Sequence, residues 1–141
     1  MIESQFNITL FNNKLMNLTP NNEAFILIAH GSRLSQTIDE MQALIVNLSK
    51  TMSGVEIRGA FMELQDPSLD KVVADLVGQG AKKVTVLPLF IFNGRHMLED
   101  IPEQVESCRS TYSKVEFVLL QHIGETDSFR DSITKLIDQQ I

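Results

Sequence analysis

Only one cysteine, Cys108, occurs among the 141 residues, and a single cysteine cannot close an internal disulfide. This absence excludes the small secreted domains that depend on disulfides, and it excludes a zinc site built from several thiolates. Because nothing close in sequence would lower the pKa of its thiol, Cys108 is predicted to be a small helix residue rather than a reactive one.

Long hydrophobic runs and basic clusters are also missing. The longest apolar stretch, residues 84–92, is far shorter than the roughly 20 residues that cross a bilayer. No basic segment precedes an apolar run at the N-terminus, so no secretory signal is predicted. With 12 Lys and Arg against 18 Asp and Glu, the chain suits neither nucleic acid nor an anionic membrane. These features predict a cytoplasmic protein without nucleic-acid or membrane partners.

Nucleotide-binding fingerprints are the third absence. No G-x-G-x-x-G follows the first apolar strand, and no Walker P-loop occurs anywhere in the sequence. We therefore predict that the domain uses neither ATP nor a dinucleotide.

The composition fits one globular domain. Hydrophobic residues make up 43% and charged residues 21%, and 141 residues are too few for two ordinary domains. Residues 1–23 are rich in Asn and lack a clear period, so we treat them as an N-terminal tail. Residues 24–141 are predicted to form the single domain.

Strands and helices alternate through this domain. Four apolar runs predict strands buried on both faces, at about residues 24–29, 55–62, 83–87 and 115–120. Segments with helical spacing follow them, at about residues 35–52, 66–77, 102–110 and 126–140. This order predicts an α/β, flavodoxin-like, three-layer domain with a four-stranded parallel sheet flanked by helices.

Residues able to handle a metal or a proton follow three of the strands. In parallel sheets of this kind, ligands bind outside the carboxyl ends of the strands, where His30, Glu63 and His96 would lie. Two imidazoles and a carboxylate suit a divalent transition metal, and neutral imidazole also accepts protons. A histidine after a strand is more often a loop residue or a hydrogen-bonded cap, so position alone leaves both interpretations open.

Two further features belong to the same edge. His122 follows the fourth strand and is expected to be a surface-loop residue, with a place beside the other histidines as the alternative. Gly31 and Ser32 would let the backbone turn after His30 and expose N–H groups near a helix start.

Three stretches around these residues carry a family likeness. They are residues 28–33 (IAHGSR), residues 61–64 (FMEL) with 66–68 (DPS), and residues 87–90 (LPLF) with 94–97 (GRHM) and 100–102 (DIP). In them the sequence resembles the small sirohydrochlorin chelatases of the CbiX and SirB type, distant relatives of protoporphyrin ferrochelatase. The likeness runs from about residue 25 to the end of the last helix.

The resemblance implies an activity and a set of site residues. It implies an ATP-independent class II chelatase that places Co2+, Fe2+ or Ni2+, as a substrate, in a sirohydrochlorin-type ring during cobalamin or siroheme biosynthesis. His30 and His96 would hold the metal and take the pyrrole protons, with Glu63 as a supporting carboxylate. The residues expected to bind the tetrapyrrole are Gly31, Ser32, Arg33, Leu89, Phe90, Gly94 and Arg95. Short members of the family act as homodimers, so a homodimer is expected.

Two alternatives of other classes remain open. A non-catalytic tetrapyrrole or metal carrier would bind its cargo without turnover. A flavodoxin-like interaction module with inert histidines would gain no stability from a metal or a tetrapyrrole.

Overall fold

A four-stranded, entirely parallel sheet organises the protein. The computed structural model describes residues 21–141 apart from the side chain of His96, so most of the predicted N-terminal tail lies outside the described residues. The strands are β1 (Glu23–Ala29), β2 (Glu56–Phe61), β3 (Lys83–Pro88) and β4 (Glu116–Leu119). Their order across the sheet is β2-β1-β3-β4, with every neighbouring pair parallel. The α/β fold with a four-stranded parallel sheet is thereby confirmed.

Four α-helices follow the strands at the predicted places. They are α1 (Gln36–Thr51), α2 (Leu69–Gly78), α3 (Ile101–Thr111) and α4 (Asp127–Asp138). Helix α2 begins after Ser68, whose side chain accepts a hydrogen bond from the Lys71 backbone N–H, and Thr126 caps α4 in the same way.

Pro102 lies in the first turn of α3, as predicted, but the segment before it is partly helical rather than a loop, which corrects that part of the prediction. A π-helical turn, His96–Asp100, leads directly into α3. Both Met97 and Leu98 donate their backbone N–H groups to the Gly94 carbonyl, which starts the turn. Five residues are too few to show a hydrophobic period, so the sequence pattern could not reveal it. The short 3-10 turn Ile123–Glu125 was missed for the same reason.

The core consists of two clusters on opposite faces of the sheet. Successive side chains of β1 point to opposite faces, so Ile26 and Ile28 join one cluster whereas Leu27 joins the other. The first cluster is formed with residues of α2 and α3, and the second with residues of α1. The helices therefore cover both faces of the sheet. Helix α4 has no buried residue, and its apolar side chains Ile133, Leu136 and Ile137 are exposed.

A buried charge cluster lies at the amino end of β2. Arg58 is almost fully buried and pairs with the buried carboxylate of Glu56 and with Asp75 of α2, whose Oδ2 is 2.8 Å from Arg58 Nη1. Burial raises the pKa of Glu56, although the hydrogen bond from Arg58 opposes the rise. This cluster is at the amino end of the strand, whereas the candidate site is at the carboxyl end. We interpret it as structural.

Candidate active site

The carboxyl ends of β1 and β2 remain paired beyond the strands themselves. The Met62 N–H donates to the Ala29 carbonyl over 2.8 Å, and the Glu63 N–H donates to the His30 carbonyl over 3.1 Å. On the other side of β1, the Leu89 N–H donates to the Ile28 carbonyl over 2.8 Å. These hydrogen bonds bring the segments that follow β1, β2 and β3 to one edge of the sheet, as expected for parallel strands.

His30 and Glu63 meet at this edge. His30 Nε2 lies 2.9 Å from Glu63 Oε1, and the two side chains are 41% and 48% exposed. A carboxylate only accepts hydrogen bonds, so Nε2 carries a proton in this arrangement. His30 Nδ1 lies 3.1 Å from the Gly31 carbonyl oxygen. The half-exposed imidazole is therefore held by a carboxylate while its ring stays open to an incoming molecule.

Gly31 makes the approach of these two segments possible. Its φ is +99°, and a Cβ at this position would lie 2.0 Å from the Glu63 carbonyl oxygen. Any other residue would be strained by the backbone conformation and would also collide with that carbonyl. The glycine after His30 thus serves the contact between the two segments.

Gln65 was missed by the sequence analysis, yet it fixes the segment after His30. Its Oε1 accepts the Ser32 N–H over 2.9 Å, and its Nε2 donates to the Leu34 carbonyl over 2.8 Å. The Leu34 N–H in turn donates to Ser32 Oγ. The expectation of an exposed N–H group is therefore wrong for Ser32, because its N–H already donates to Gln65. A polar residue in a loop gives no sequence signal for such a role.

The segment after β3 carries the remaining predicted ring-binding residues. Leu89 and Phe90 are half-buried and pack against the two core clusters on opposite faces. Gly94 and Arg95 are exposed, and Arg95 Nε lies 3.3 Å from Glu99 Oε2 in an exposed ion pair. His96 begins the π-helical turn at this edge, but its side chain lies outside the described residues.

His122 is buried, which corrects the expectation that it is a surface-loop residue. Its side chain is only 3% exposed, and its Nδ1 lies 2.9 Å from the Phe90 carbonyl oxygen. The sequence showed a histidine after a strand, but only the tertiary structure places the loop after β3 over it.

An acidic cavity of about 330 Å³ adjoins the His30–Glu63 pair. Its walls come from four parts of the chain: the segment that follows β2, helix α2, the π-helical turn and helix α3. The lining residues are Met62, Glu63, Asp70, Asp100, Glu103, Gln104 and Ser107. Four carboxylates around one cavity give it a negative potential that favours cations. Within the described residues, no three His, Cys, Asp or Glu side chains cluster closely enough to hold a metal ion.

No helix in the described part of the chain combines the length and the apolar character needed to span a membrane.

Comparison with known proteins confirms the family resemblance that the sequence motifs indicated. The family model CbiX matches residues 24–140. The chain is 25% identical to the sirohydrochlorin ferrochelatase of Priestia megaterium, over 83% of this chain and 44% of that protein. It is 31% identical to the chloroplastic sirohydrochlorin ferrochelatase of Arabidopsis thaliana, over 82% of this chain and 51% of that protein. The chain thus spans about half the length of these two relatives.

Solved structures share the fold. A CbiX protein from Marinobacter aquaeolei VT8 superimposes with a TM-score of 0.72 at 30% identity, covering 84% of this chain and 96% of that one. The sirohydrochlorin chelatase SirB from Bacillus subtilis subspecies spizizenii, in complex with cobalt, gives 0.70 at 25% identity, covering 83% of this chain and 50% of that one.

Proposed function

The chain belongs to the CbiX family, and from this premise we propose that it inserts a divalent metal ion into a sirohydrochlorin-type tetrapyrrole without using ATP. The observation that carries the proposal is the half-exposed His30–Glu63 pair at the carboxyl edge of the sheet. The proposal places the protein in the cytoplasm, in cobalamin or siroheme biosynthesis.

Proton acceptance is the role that we assign to the His30–Glu63 pair. Metal insertion exchanges two pyrrole N–H protons for one M2+ ion, so the site needs a base beside the ring. An imidazole accepts protons near neutral pH through the nitrogen that carries no hydrogen. With Nε2 donating to Glu63, that nitrogen is His30 Nδ1, which would take the proton once its contact with the Gly31 carbonyl is released. The Glu63 carboxylate would orient the ring and stabilise its positive charge after the proton is taken. His96, which begins the turn after β3, would supply the second imidazole.

The metal is a substrate in this proposal. Imidazole and carboxylate suit Co2+, Fe2+ and Ni2+, with His30 and His96 as the metal-holding residues. Glu63 lines the acidic cavity as well as contacting His30, so cations concentrated there would lie beside the carboxylate that holds the imidazole. Relatives named sirohydrochlorin ferrochelatase and sirohydrochlorin cobaltochelatase support iron and cobalt as candidates.

The same edge offers surface for a flat, anionic ring. Exposed apolar side chains follow each of the first three strands, and they include Leu34, Leu64, Phe92 and Leu98. We assign ring contacts to these and to the predicted Leu89, Phe90, Gly31 and Gly94. Ser32, Arg33 and Arg95 would meet the carboxylates of the ring, with Arg95 leaving its exposed pair with Glu99.

A homodimer is part of the proposal. The chain spans about half the length of two relatives that are named sirohydrochlorin ferrochelatase, so two copies would match one such relative in length. Helix α4 also exposes the apolar residues Ile133, Leu136 and Ile137, which a partner could cover. Sedimentation analysis of the wild type and of Leu136→Glu tests this. A dimer that becomes a monomer in the variant supports an α4 interface, whereas a wild-type monomer contradicts the proposal.

An insertion assay with sirohydrochlorin tests the activity. Co2+, Fe2+ and Ni2+ are supplied one at a time, and the change in tetrapyrrole absorbance is followed against the spontaneous rate. We expect turnover by the wild type and loss of turnover in His30→Ala and His96→Ala. Stoichiometric binding without turnover would identify a carrier instead. Wild-type rates in both variants would exclude the proposed roles of the two histidines.

A further inference from the structure

The turn after β4 holds the segment after β3 at three points. We call His122, Gly124 and Glu125 the turn clamp. The Phe90 carbonyl lies 2.9 Å from His122 Nδ1 and accepts the Gly124 N–H over 3.0 Å. The Asn93 side-chain amide donates to Glu125 Oε1. The start and the end of the Phe90–Asn93 segment are therefore both bound to the same turn.

The clamp is packed too closely to be a loose contact. A Cβ at Gly124 would lie 1.6 Å from the Ile91 carbonyl oxygen, so only glycine allows the two backbones to approach this far. The hydrogen bond from Asn93 is also the main reason why the pKa of Glu125 lies below its usual range.

The His122 ring is the buried member of the clamp. A carbonyl oxygen only accepts hydrogen bonds, so Nδ1 carries the proton that it donates to Phe90. Nε2 lies 3.2 Å from Glu125 Oε1 but forms no aligned hydrogen bond within the described part of the chain. Burying an imidazole costs free energy that a leucine of similar size would not cost. The hydrogen bond to the Phe90 carbonyl offsets part of this cost, and a leucine could not form it.

The clamped segment leads directly to the predicted site residues. Residues 91–95 are all exposed, and Phe92 reaches 83%, so few core contacts fix the path of the chain there. Immediately after Asn93, the Gly94 carbonyl accepts the N–H groups that start the turn containing His96. The direction in which the chain leaves the clamp therefore sets where Gly94, Arg95 and the His96 backbone lie.

We propose that His122 is a positioning residue that acts through the Phe90 carbonyl to hold the Phe92–His96 segment at the mouth of the site. It touches neither the ring nor the metal. The predicted effect of His122 on the rate of metal insertion rests on the proposed chelatase function. Its predicted effect on the Phe92–His96 segment is independent of that function.

The first test compares two replacements of His122 with a core control. His122→Asn keeps a side-chain N–H near the position of Nδ1, whereas His122→Leu keeps the volume and removes the donor. Val73→Ala truncates a fully buried residue of α2 and lowers stability without removing a hydrogen bond of the clamp. We expect kcat/KM for Co2+ insertion to fall about tenfold or more in His122→Leu and to recover largely in His122→Asn. Val73→Ala should keep the wild-type value well below its melting temperature.

The second test measures amide hydrogen exchange of Met97 and Leu98, whose N–H groups donate to the Gly94 carbonyl at the end of the segment. Faster exchange in His122→Leu, confined to this part of the chain and reversed in His122→Asn, is expected. If His122→Leu does not fold, Asn93→Ala takes its place in this test. This exposed substitution removes the other end of the clamp and should raise exchange in the same residues. Unchanged exchange in the folded variants would overturn the proposal, as would a rate loss no greater than in Val73→Ala. If the wild type inserts no metal, the proposed function fails, while the exchange experiment still decides the role of His122.

Discussion

Glu63 and His30 follow different strands, yet Glu63 Oε1 lies 2.9 Å from His30 Nε2. The contact depends on a backbone hydrogen bond between the same two residues, since the Glu63 N–H donates to the His30 carbonyl. Backbone pairing and side-chain pairing thus reinforce each other at the mouth of the proposed site. Changes to either should alter the imidazole without unfolding the sheet.

Replacing the Glu63 carboxylate should separate orientation of the imidazole from stabilisation of its charge. Glu63→Gln retains an oxygen that accepts from Nε2 but loses the negative charge, whereas Glu63→Ala loses both. We expect kcat for metal insertion to fall in Glu63→Gln and to fall further, about 10- to 100-fold, in Glu63→Ala. Glu106→Gln, an exposed change on α3, is the control and should behave as the wild type. Equal rates in all four proteins would contradict the assigned role.

Gly31→Ala should destabilise the fold more than Gly54→Ala does. Both glycines have positive φ, +99° and +80°, but a Cβ at Gly31 meets the Glu63 carbonyl whereas a Cβ at Gly54 meets nothing within 4 Å. We expect Gly54→Ala to lower the free energy of unfolding by about 1 kcal/mol, and Gly31→Ala by roughly 3 kcal/mol or more. Urea denaturation of both variants measures the difference. Equal losses would show that the carbonyl moves aside.

Gln65→Ala should loosen the segment after His30. The substitution removes the acceptor for the Ser32 N–H and the donor to the Leu34 carbonyl. A loss of about 1–2 kcal/mol in unfolding free energy is expected, together with a lower kcat/KM for metal insertion. Gln65→Glu keeps the acceptor and loses the donor, so it should lie between the wild type and Gln65→Ala. An unchanged kcat/KM in Gln65→Ala would show that the segment is held by other contacts.

Glu56 should make the protein less stable as the pH rises above the usual carboxyl range. Burial raises its pKa in the folded state from the usual value of 4.5, so between 4.5 and the raised value the native protein binds more protons than the unfolded chain. The stabilisation is complete below 4.5 and is lost as the pH rises through the raised pKa. We expect Glu56→Gln to lack this loss, as measured by the difference between its stability–pH curve and that of the wild type. Parallel curves would refute the shift.

Cys108 should resist thiol reagents in the native protein. Burial, together with Asp70 whose Oδ1 is 3.8 Å from Sγ, raises the pKa of the thiol to about 11. At pH 8 the thiolate that reacts with iodoacetamide is therefore scarce as well as buried. We expect labelling to follow unfolding in a urea series, with Cys108→Ser as the unlabelled control. Rapid labelling without urea would contradict the burial and the raised pKa together.

Hydrophobic periodicity was sufficient to predict the sheet and its four α-helices. The apolar runs of β1 and β3 predicted strands covered on both faces, and the side chains of β1 do divide between the two core clusters. Because parallel strands end at a common edge, the strand pattern also predicted that His30, Glu63 and His96 would lie at one edge, where the structure brings His30 and Glu63 into contact. Between residues 21 and 141, periodicity failed only where elements are short, as at the π-helical turn His96–Asp100.

The contacts between loops were decided by the tertiary structure alone. Gln65 fixes the segment after His30, and His122 is buried beneath the segment after β3, because folding brings separate loops over the same sheet edge. A side chain in a loop has no period, and its partners are set by the path of a distant backbone. The sequence by itself determined which residues reach the edge of the sheet, since strand order and hydrophobic pattern are local properties. Only the tertiary structure determined which side chains hold them there, since hydrogen bonds between loops depend on distances that no local pattern encodes.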